Sequence, residues 1–242
     1  MKLPFDKIYI INLVSNKERH DNCIKEFGKL GVDKTDLNFW YATRNNFLKG
    51  IENIIPTIKD EWYDKMQVYD ENTYSRIFDN AYAHFNIIKT SYERGFNSIL
   101  VCEDDVNFID DKNLVLDTFN KIPQDYDIIK FYNMCDAEYF KKNVKRPNTE
   151  KIHYILEPFR GYLSCCMIYA LSRNGMKIYI DYVEKNGLMI SDLYFGKLFN
   201  MCKLYSLDHS IVKDEFPLLN TSEFTSLQNW GAIEKFNAEK NN

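Results

Sequence analysis

Runs of apolar residues of strand length alternate with segments of helical periodicity in the first part of the chain. Residues 7–13 are almost continuously apolar, which is typical of a strand covered on both faces. Ser15 and Glu18 form an S-x-x-E pair that predicts a helix start, and Gly31 is placed to end that helix. A second strand is predicted over residues 38–42. This order of strand, helix and strand predicts a parallel sheet, and the lack of a G-x-G-x-x-G sequence argues against a dinucleotide site.

A long polar segment and a long helix follow. Residues 43–74 are polar and irregular, which indicates an excursion with at most short helices, of the kind that often shapes a substrate site. Apolar residues recur at helical spacing over residues 75–94, Gly95 is placed to end the helix, and the apolar run 98–102 predicts a buried strand. His84 lies at the edge of the apolar stripe, where a hydrogen-bonded packing residue is more common than a metal ligand.

The rest of the chain continues the alternation. Further strands are predicted over residues 126–132, 152–156, 162–171 and 203–207. Further helices are predicted over residues 113–120, from 173 towards 185 after a Ser172 cap, and from Asp192 onward. Residues 136–150 are polar and form either a surface loop or a disordered segment. Together the elements predict an α/β fold, in which a mostly parallel mixed sheet is flanked by helices in one domain spanning residues 1–242.

Composition narrows the function classes. The net charge of -4 argues against nucleic-acid binding through broad phosphate neutralisation. The six cysteines form no C-x-x-C pair, so a reducing compartment is expected. The N-terminus lacks a signal-peptide pattern, and no window reaches the length of a transmembrane helix. We therefore expect a soluble cytoplasmic protein, in which the basic stretch 141–146 is either a solvated loop or a peripheral contact to an anionic membrane.

Three consecutive acids, Glu103, Asp104 and Asp105, follow the apolar run 98–102. Carboxylates this close repel one another and resist desolvation, so a divalent cation would offset their charge. Mg2+ and Mn2+ prefer oxygen ligands and often keep positions open for substrate phosphates. From the triplet alone, a solvated turn after a strand is an equally good interpretation.

Four further residues are candidates for a site. Asp192, at a predicted helix start, is either a cap for that helix or a general base for an acceptor hydroxyl. His209 follows the last predicted strand and is either a surface histidine or a third metal ligand. Arg19 and Arg44 lie beyond the first two strands, where an open sheet collects its ligands, and each would contact a nucleotide phosphate or pair with a carboxylate.

Two segments of the chain carry the first parts of a family resemblance, and the second of them is the stronger signal. Residues 8–13, with the Asn12-Leu13 pair and Arg19 beyond, are similar to an opening strand followed by an arginine. Ala83-His84 on a helix, followed by a strand that ends in Glu-Asp-Asp, is similar to a Ser-His helix and acidic strand. Both patterns resemble glycosyltransferase family 25, the family of bacterial lipooligosaccharide glycosyltransferases and collagen galactosyltransferases.

A third segment, residues 161–175, resembles the region before the family's late helix, and Asp192 matches an acidic position beyond it. Ala83 departs from the family pattern, in which a serine usually precedes the histidine. The resemblance covers most of the chain but leaves the choice of acceptor open.

The resemblance implies a GT-A-type, Rossmann-like fold with a nucleotide-binding part over about residues 1–110 and an acceptor-binding part over about 111–235. It implies a nucleotide diphosphate sugar donor, a UDP-sugar above all, a Mn2+ or Mg2+ ion and inversion at the anomeric carbon. The sugar is expected to be a hexose such as galactose or glucose, and the acceptor a glycan, a lipid-linked molecule or a protein. Lipopolysaccharide or surface-glycan synthesis would be the setting.

The expected roles follow from this resemblance and from the residues themselves. The metal ligands would be Glu103, Asp105 and His209. The donor would be held by Asn12, Arg19, Arg44 and Asp104, the last of which orients either the ribose or the metal shell. The general base would be Asp192.

Two other classes stay open at the level of sequence. A metal-dependent phosphohydrolase or nucleotidyltransferase would also place acids after a strand, but would release phosphate or pyrophosphate without a sugar acceptor. A non-catalytic sugar-binding protein of the same fold would bind glycan while Asp192→Ala changed nothing measurable.

Overall fold

A mixed sheet with helices on both faces makes up the part of the chain that the computed structural model describes, namely residues 2–42, 71–132, 152–154, 165–188, 191–207 and 210–213. The strands are β1 (Lys7–Asn12), β2 (Leu37–Tyr41), β3 (Ser98–Glu103), β4 (Ile128–Lys130), β5 (Ile152–Tyr154), β6 (Ile168–Ser172) and β7 (Leu204–Leu207). The helices are α1 (Lys17–Lys29), α2 (Glu71–Glu93), α3 (Lys112–Asn120), α4 (Arg173–Asn186) and α5 (Tyr194–Leu198). Short 3-10 turns at Lys34–Asp36 and Ser191–Leu193 precede β2 and α5.

The strand order among the described residues is β2-β1-β3-β6-β4-β7-β5. β1 pairs in parallel with β2 and β3, and β4 pairs in parallel with β7. β6 runs antiparallel to both β3 and β4, and β5 runs antiparallel to β7. The other five described strands therefore share one direction, although three of the six pairings are antiparallel. This arrangement confirms the predicted α/β fold with a mixed sheet flanked by helices.

Two apolar clusters cover the two faces of the sheet. Along β3, Ile99 and Val101 join the cluster that includes side chains of α2, α4 and α5. Leu100 and Cys102 point to the opposite face and join the cluster that includes α1 and α3. All four side chains are fully buried. This alternation explains why β3 is continuously apolar between Ser98 and the Glu103 carboxylate that ends it.

The structure corrects several predicted element ends. α1 begins one residue later than the S-x-x-E pair indicated, because Asn16 is the residue whose side chain accepts the capping hydrogen bond from the Arg19 N–H at 3.4 Å. α2 begins at Glu71, so the predicted excursion 43–74 ends earlier. Asp192 does not open an α-helix but lies within the 3-10 turn before α5.

Two predicted helix boundaries are confirmed. The Ser172 side chain accepts a hydrogen bond from the Gly175 N–H at 3.1 Å and caps α4. After α2, Gly95 has a φ of 81° and donates its N–H to the Tyr92 carbonyl at 3.0 Å, as expected for a glycine that stops a helix. Within the described ranges, the search for a helix long and apolar enough to cross a membrane finds none.

Candidate active site

The candidate site lies where β1, β2 and β3 end side by side. Because these strands are parallel and in register, Asn12 lies opposite Tyr41, and Ile11 lies opposite Glu103. The acidic triplet therefore leaves the sheet at the same edge as the end of β1 and the start of α1. Open sheets place ligands beyond the carboxyl ends of their strands, so this edge is the expected position for a site.

Asp104 joins three elements at this edge. Its Oδ2 accepts a hydrogen bond from Asn12 Nδ2 at 2.7 Å, and its Oδ1 accepts one from Arg19 Nη1 at 2.8 Å. Burial raises the pKa of Asp104, while the contacts with Arg19 and Asn12 oppose that rise. The predicted residues Asn12, Arg19 and Asp104 are thus brought together. Of the two contacts considered for Arg19, the structure contains the pairing with a carboxylate.

Glu103 is oriented by two side chains of α2. Asn80 Nδ2 donates to Glu103 Oε1 at 2.9 Å, and His84 Nε2 lies 3.4 Å from the same oxygen. Burial favours a higher pKa for Glu103, but the contacts with His84 and Asn80 outweigh it and hold the pKa below its ordinary value. The carboxylate is therefore expected to be ionised across the physiological pH range.

The surroundings of Asp105 differ from those of Glu103, because they raise the pKa of the carboxyl group instead of lowering it. Its Oδ1 is buried and makes no hydrogen bond with the described residues. Burial, followed by the negative charge of Glu103, raises the pKa of Asp105 to about 7. An acceptor atom left without a partner in a buried position is costly to the folded protein, and its presence is typical of a site that binds something else.

Asp192 lies close enough to the acidic triplet for the charge of Glu103 to affect its pKa. Its Oδ1 accepts a hydrogen bond from the Cys166 N–H at 3.0 Å, so this oxygen is engaged by a segment outside the helix that follows. Desolvation by the surrounding protein, followed by the charge of Glu103, raises the pKa of Asp192 to about 6. The residue nevertheless keeps an exposed surface, as a carboxylate lining a cleft would, and water reaching that surface screens part of the effect.

Three residues of this region were not identified as site residues from sequence. His84 was interpreted as a hydrogen-bonded packing residue; it is buried and bonded, but its second ring nitrogen faces Glu103. Asn80 lies one helical turn before His84, so the N-x-x-x-H spacing on α2 is the signal that could have found both. Lys130 is fully buried in β4, with its Nζ 5.1 Å from the centre of the Phe195 ring. Because its sequence neighbours are apolar, the sequence indicated only a strand at this position.

Two of the predicted site residues, Arg44 and His209, lie outside the described residues. Among the residues that are described, no three His, Cys, Asp or Glu side chains are gathered into a group ready to hold a metal ion. A cation bound here would therefore need ligands beyond the side chains already in place.

The residues nevertheless fit a divalent cation of the Mg2+ or Mn2+ type. Glu103 and Asp105 supply carboxylate oxygens, which such hard ions prefer. The buried Asp105 Oδ1 lacks a partner in the part of the chain that is described, and a cation would supply one. The cation would also offset the burial and the carboxylate repulsion that raise the pKa of Asp105. Ions of this type commonly complete their shell with water and substrate phosphates.

Comparison with known proteins adds a family match. Residues 5–194 match the model of Glycosyltransferase family 25 (LPS biosynthesis protein). None of the proteins with curated descriptions matches the chain. Among solved structures, A197 from STIV aligns over 86% of this chain and 83% of its own, with 13% identity and a TM-score of 0.38. Mouse xyloside xylosyltransferase 1, in its apo form, aligns over 79% of this chain and 57% of its own, with 10% identity and a TM-score of 0.30.

Proposed function

Because this chain belongs to glycosyltransferase family 25, we propose that it transfers a hexose from a UDP-sugar to a hydroxyl group, with inversion at the anomeric carbon and with a divalent cation at Glu103 and Asp105. The family resemblance seen in the sequence is confirmed by the match over residues 5–194, and the chain is a glycosyltransferase. The observation that carries the finer proposal is the buried Asp105 Oδ1, which has no partner among the described residues, at the carboxyl ends of parallel strands.

The donor side of the proposed site is built on Glu103 and Asp105. When bound, Mn2+ or Mg2+ would neutralise the donor diphosphate and the charge that develops on the leaving nucleotide. Glu103 is kept ionised by His84 and Asn80, so it is ready to bind a cation at neutral pH. Asp105, with its pKa near 7, would lose its proton on binding and thereby gain the partner that its Oδ1 lacks.

Asp104, Asn12 and Arg19 support this side of the site. Asp104 is already engaged with Asn12 and Arg19, so its most direct contribution is to fix the loop that carries the two neighbouring acids. Arg19 keeps one buried nitrogen, Nε, without a partner among the described residues. This free N–H group supports a hydrogen bond from Arg19 Nε to an oxygen of the nucleotide sugar, as expected from the sequence.

Asp192 is the proposed general base. With a pKa of about 6 it is largely ionised at neutral pH and still basic enough to accept a proton. The acceptor oxygen attacks the anomeric carbon as the bond from that carbon to the diphosphate oxygen breaks, and the hydroxyl proton passes to Asp192. A single displacement of this kind inverts the anomeric configuration. The Cys166 N–H, which holds Oδ1, would keep the carboxylate in place.

The acceptor is proposed to be a glycan of a lipopolysaccharide or another surface polysaccharide, with galactose or glucose as the transferred sugar. The family's description as an LPS biosynthesis protein supports this setting. A GT-A arrangement, with the nucleotide bound over about residues 1–110 and the acceptor over about 111–235, is consistent with the acidic site at the end of β3.

A transfer assay tests the reaction class. Purified protein with Mn2+ is incubated with UDP-galactose or UDP-glucose and a panel of glycan acceptors, and NMR identifies the product and its anomeric configuration. We expect a β-linked product from an α-linked donor. Release of phosphate or pyrophosphate without any sugar transfer would instead identify a phosphohydrolase or nucleotidyltransferase, and an α-linked product would exclude the single displacement.

A further inference from the structure

Three buried or half-buried side chains form a hydrogen-bonded chain that ends at Glu103. Tyr169 on β6 and His84 on α2 are both almost fully buried, and the Tyr169 hydroxyl lies 2.7 Å from His84 Nδ1. His84 Nε2 lies 3.4 Å from Glu103 Oε1. This series of hydrogen bonds therefore runs from the middle of the sheet to the acidic end of β3.

The direction of each hydrogen bond is set at the two ends of this hydrogen-bonded chain. Burial raises the pKa of the Tyr169 hydroxyl far above its ordinary value, so Tyr169 keeps its proton and can donate it. At the other end, a carboxylate oxygen of Glu103 accepts, so the contact from His84 Nε2 requires a proton on that nitrogen. The Tyr169 hydroxyl can then donate to an unprotonated Nδ1, 2.7 Å away. Tyr169 and Glu103 together thus select the tautomer that donates to the carboxylate.

Both donors from α2 meet the same oxygen of Glu103. Asn80 Nδ2 and His84 Nε2 contact Oε1, at 2.9 Å and 3.4 Å, and no described contact engages Oε2. The side chain is 22% exposed, so the carboxylate is open on one side. Among the described residues, α2 therefore holds one oxygen of Glu103, and no contact holds the other.

We infer that Tyr169, His84 and Asn80 are positioning residues that hold Oε1 of Glu103 and so direct Oε2 towards the bound cation. The part concerning the cation rests on the proposed function, whereas the hydrogen-bonded chain and its tautomer do not depend on it. Partners of this kind, which orient a ligand without touching the ion, commonly contribute about 10–100-fold to metal affinity.

The tautomer is tested in the metal-free protein. The chain contains only four histidines, so long-range 1H-15N correlation spectra can resolve each ring. We expect His84 to carry its proton on Nε2 and to accept at Nδ1, and Tyr169→Phe, which removes only the hydroxyl, to shift the ring towards a mixture of tautomers. Tyr179→Phe is the matched control, because Tyr179 is an equally buried tyrosine that packs on Tyr194, with ring centres 4.4 Å apart. A proton on Nδ1 in the wild-type protein would overturn the inference.

The positioning role is tested with Mn2+ alone, using electron paramagnetic resonance to measure the free ion. We expect Tyr169→Phe to weaken Mn2+ binding about tenfold and Tyr179→Phe to leave it unchanged. His84→Gln, which can still present an amide N–H towards Glu103, should retain more affinity than His84→Leu. Thermal denaturation of each variant shows whether it is folded. Equal Mn2+ affinity in the wild type and in Tyr169→Phe would overturn the positioning role.

The two measurements separate this inference from the proposed function. If the wild-type protein binds no Mn2+, the metal in the proposed function fails, and the spectra then decide the inference on their own. An Nε2-protonated His84 that changes in Tyr169→Phe supports it. An unchanged ring overturns it.

Discussion

At the scale of single residues, the three acids of the triplet make different contacts, which their sequence does not predict. Asp104 is engaged by Asn12 and Arg19, which are 92 and 85 residues away along the chain. Glu103 is held by α2, and Asp105 has a buried oxygen for which the described residues provide no partner. The sequence predicted where the acids lie because an apolar strand ends there. Their different roles depend on long-range contacts, which spacing cannot predict.

Asp105→Asn should stabilise the metal-free protein at high pH. The pKa of Asp105 is raised from an ordinary 3.8 to about 7 on folding, so its contribution to stability is fully present below about pH 4 and is lost as the pH rises through 7. Asparagine has no such loss. We expect a gain in unfolding free energy on the order of 2 kcal/mol at about pH 8, vanishing near pH 4.

Thermal and urea denaturation in EDTA across this pH range measures the difference. Asp125→Asn is the control, since hydrogen bonds from Lys203 and Tyr205 lower the pKa of this exposed carboxylate, so that its removal should not stabilise the protein as the pH rises. A difference between wild type and Asp105→Asn that does not change with pH would contradict the environment described for Asp105.

Asp192→Asn should reduce the rate of sugar transfer by about 10²–10⁴-fold while leaving UDP and Mn2+ binding unchanged, because the general base acts on the acceptor. With its pKa raised to about 6, the ionised form of Asp192 accumulates as the pH rises, so the wild-type rate should increase through that value and then level off. Steady-state rates against pH, at saturating donor and acceptor, provide the measurement. A variant that retains the full rate would exclude Asp192 as the base.

At the scale of secondary structure, most helices and strands could be predicted, but their ends could not always be. The predictions for Ser172 and Gly95 were correct because each depends on a local property of the residue. The Ser172 hydroxyl accepts a backbone hydrogen bond, and Gly95 adopts a positive φ without strain. The start of α1 was displaced because Asn16 competes with Ser15 for the same capping role. The antiparallel insertion of β6 between β3 and β4 was not predicted, since strand order depends on contacts between distant segments.

Two glycines in helices should respond to alanine in opposite ways. A Cβ on Gly175 of α4 would lie 2.0 Å from the Asp127 carbonyl oxygen, a backbone atom that cannot move cheaply. We expect Gly175→Ala to cost about 1–3 kcal/mol or more, as overpacking does. A Cβ on Gly28 of α1 would meet nothing within 4 Å, so Gly28→Ala should stabilise the protein by up to about 1 kcal/mol.

Urea denaturation of the two glycine variants gives the free energies directly. Because the substitutions are chemically identical and both lie in helices, their difference isolates the close contact between α4 and the segment before β4. A stable Gly175→Ala protein would show that this contact can relax.

At the scale of the whole molecule, the sheet explains why the candidate site forms where it does. Parallel β1, β2 and β3 bring residues from distant parts of the sequence to one edge. α2 crosses close enough to contribute Asn80 and His84. The turn before α5 contributes Asp192, whose pKa is raised by burial and then by the negative charge of Glu103. The α/β class and the family were predictable from the sequence, whereas this convergence required the structure.

The central claim is that Glu103 and Asp105 bind a cation that in turn holds a nucleotide diphosphate. Calorimetric titration of the full chain with UDP, with and without Mn2+, tests it most directly. We predict binding that requires Mn2+, is lost in Asp105→Ala and is kept in Asp192→Asn. UDP binding that is equally strong without Mn2+, or that is unaffected by Asp105→Ala, would contradict the account.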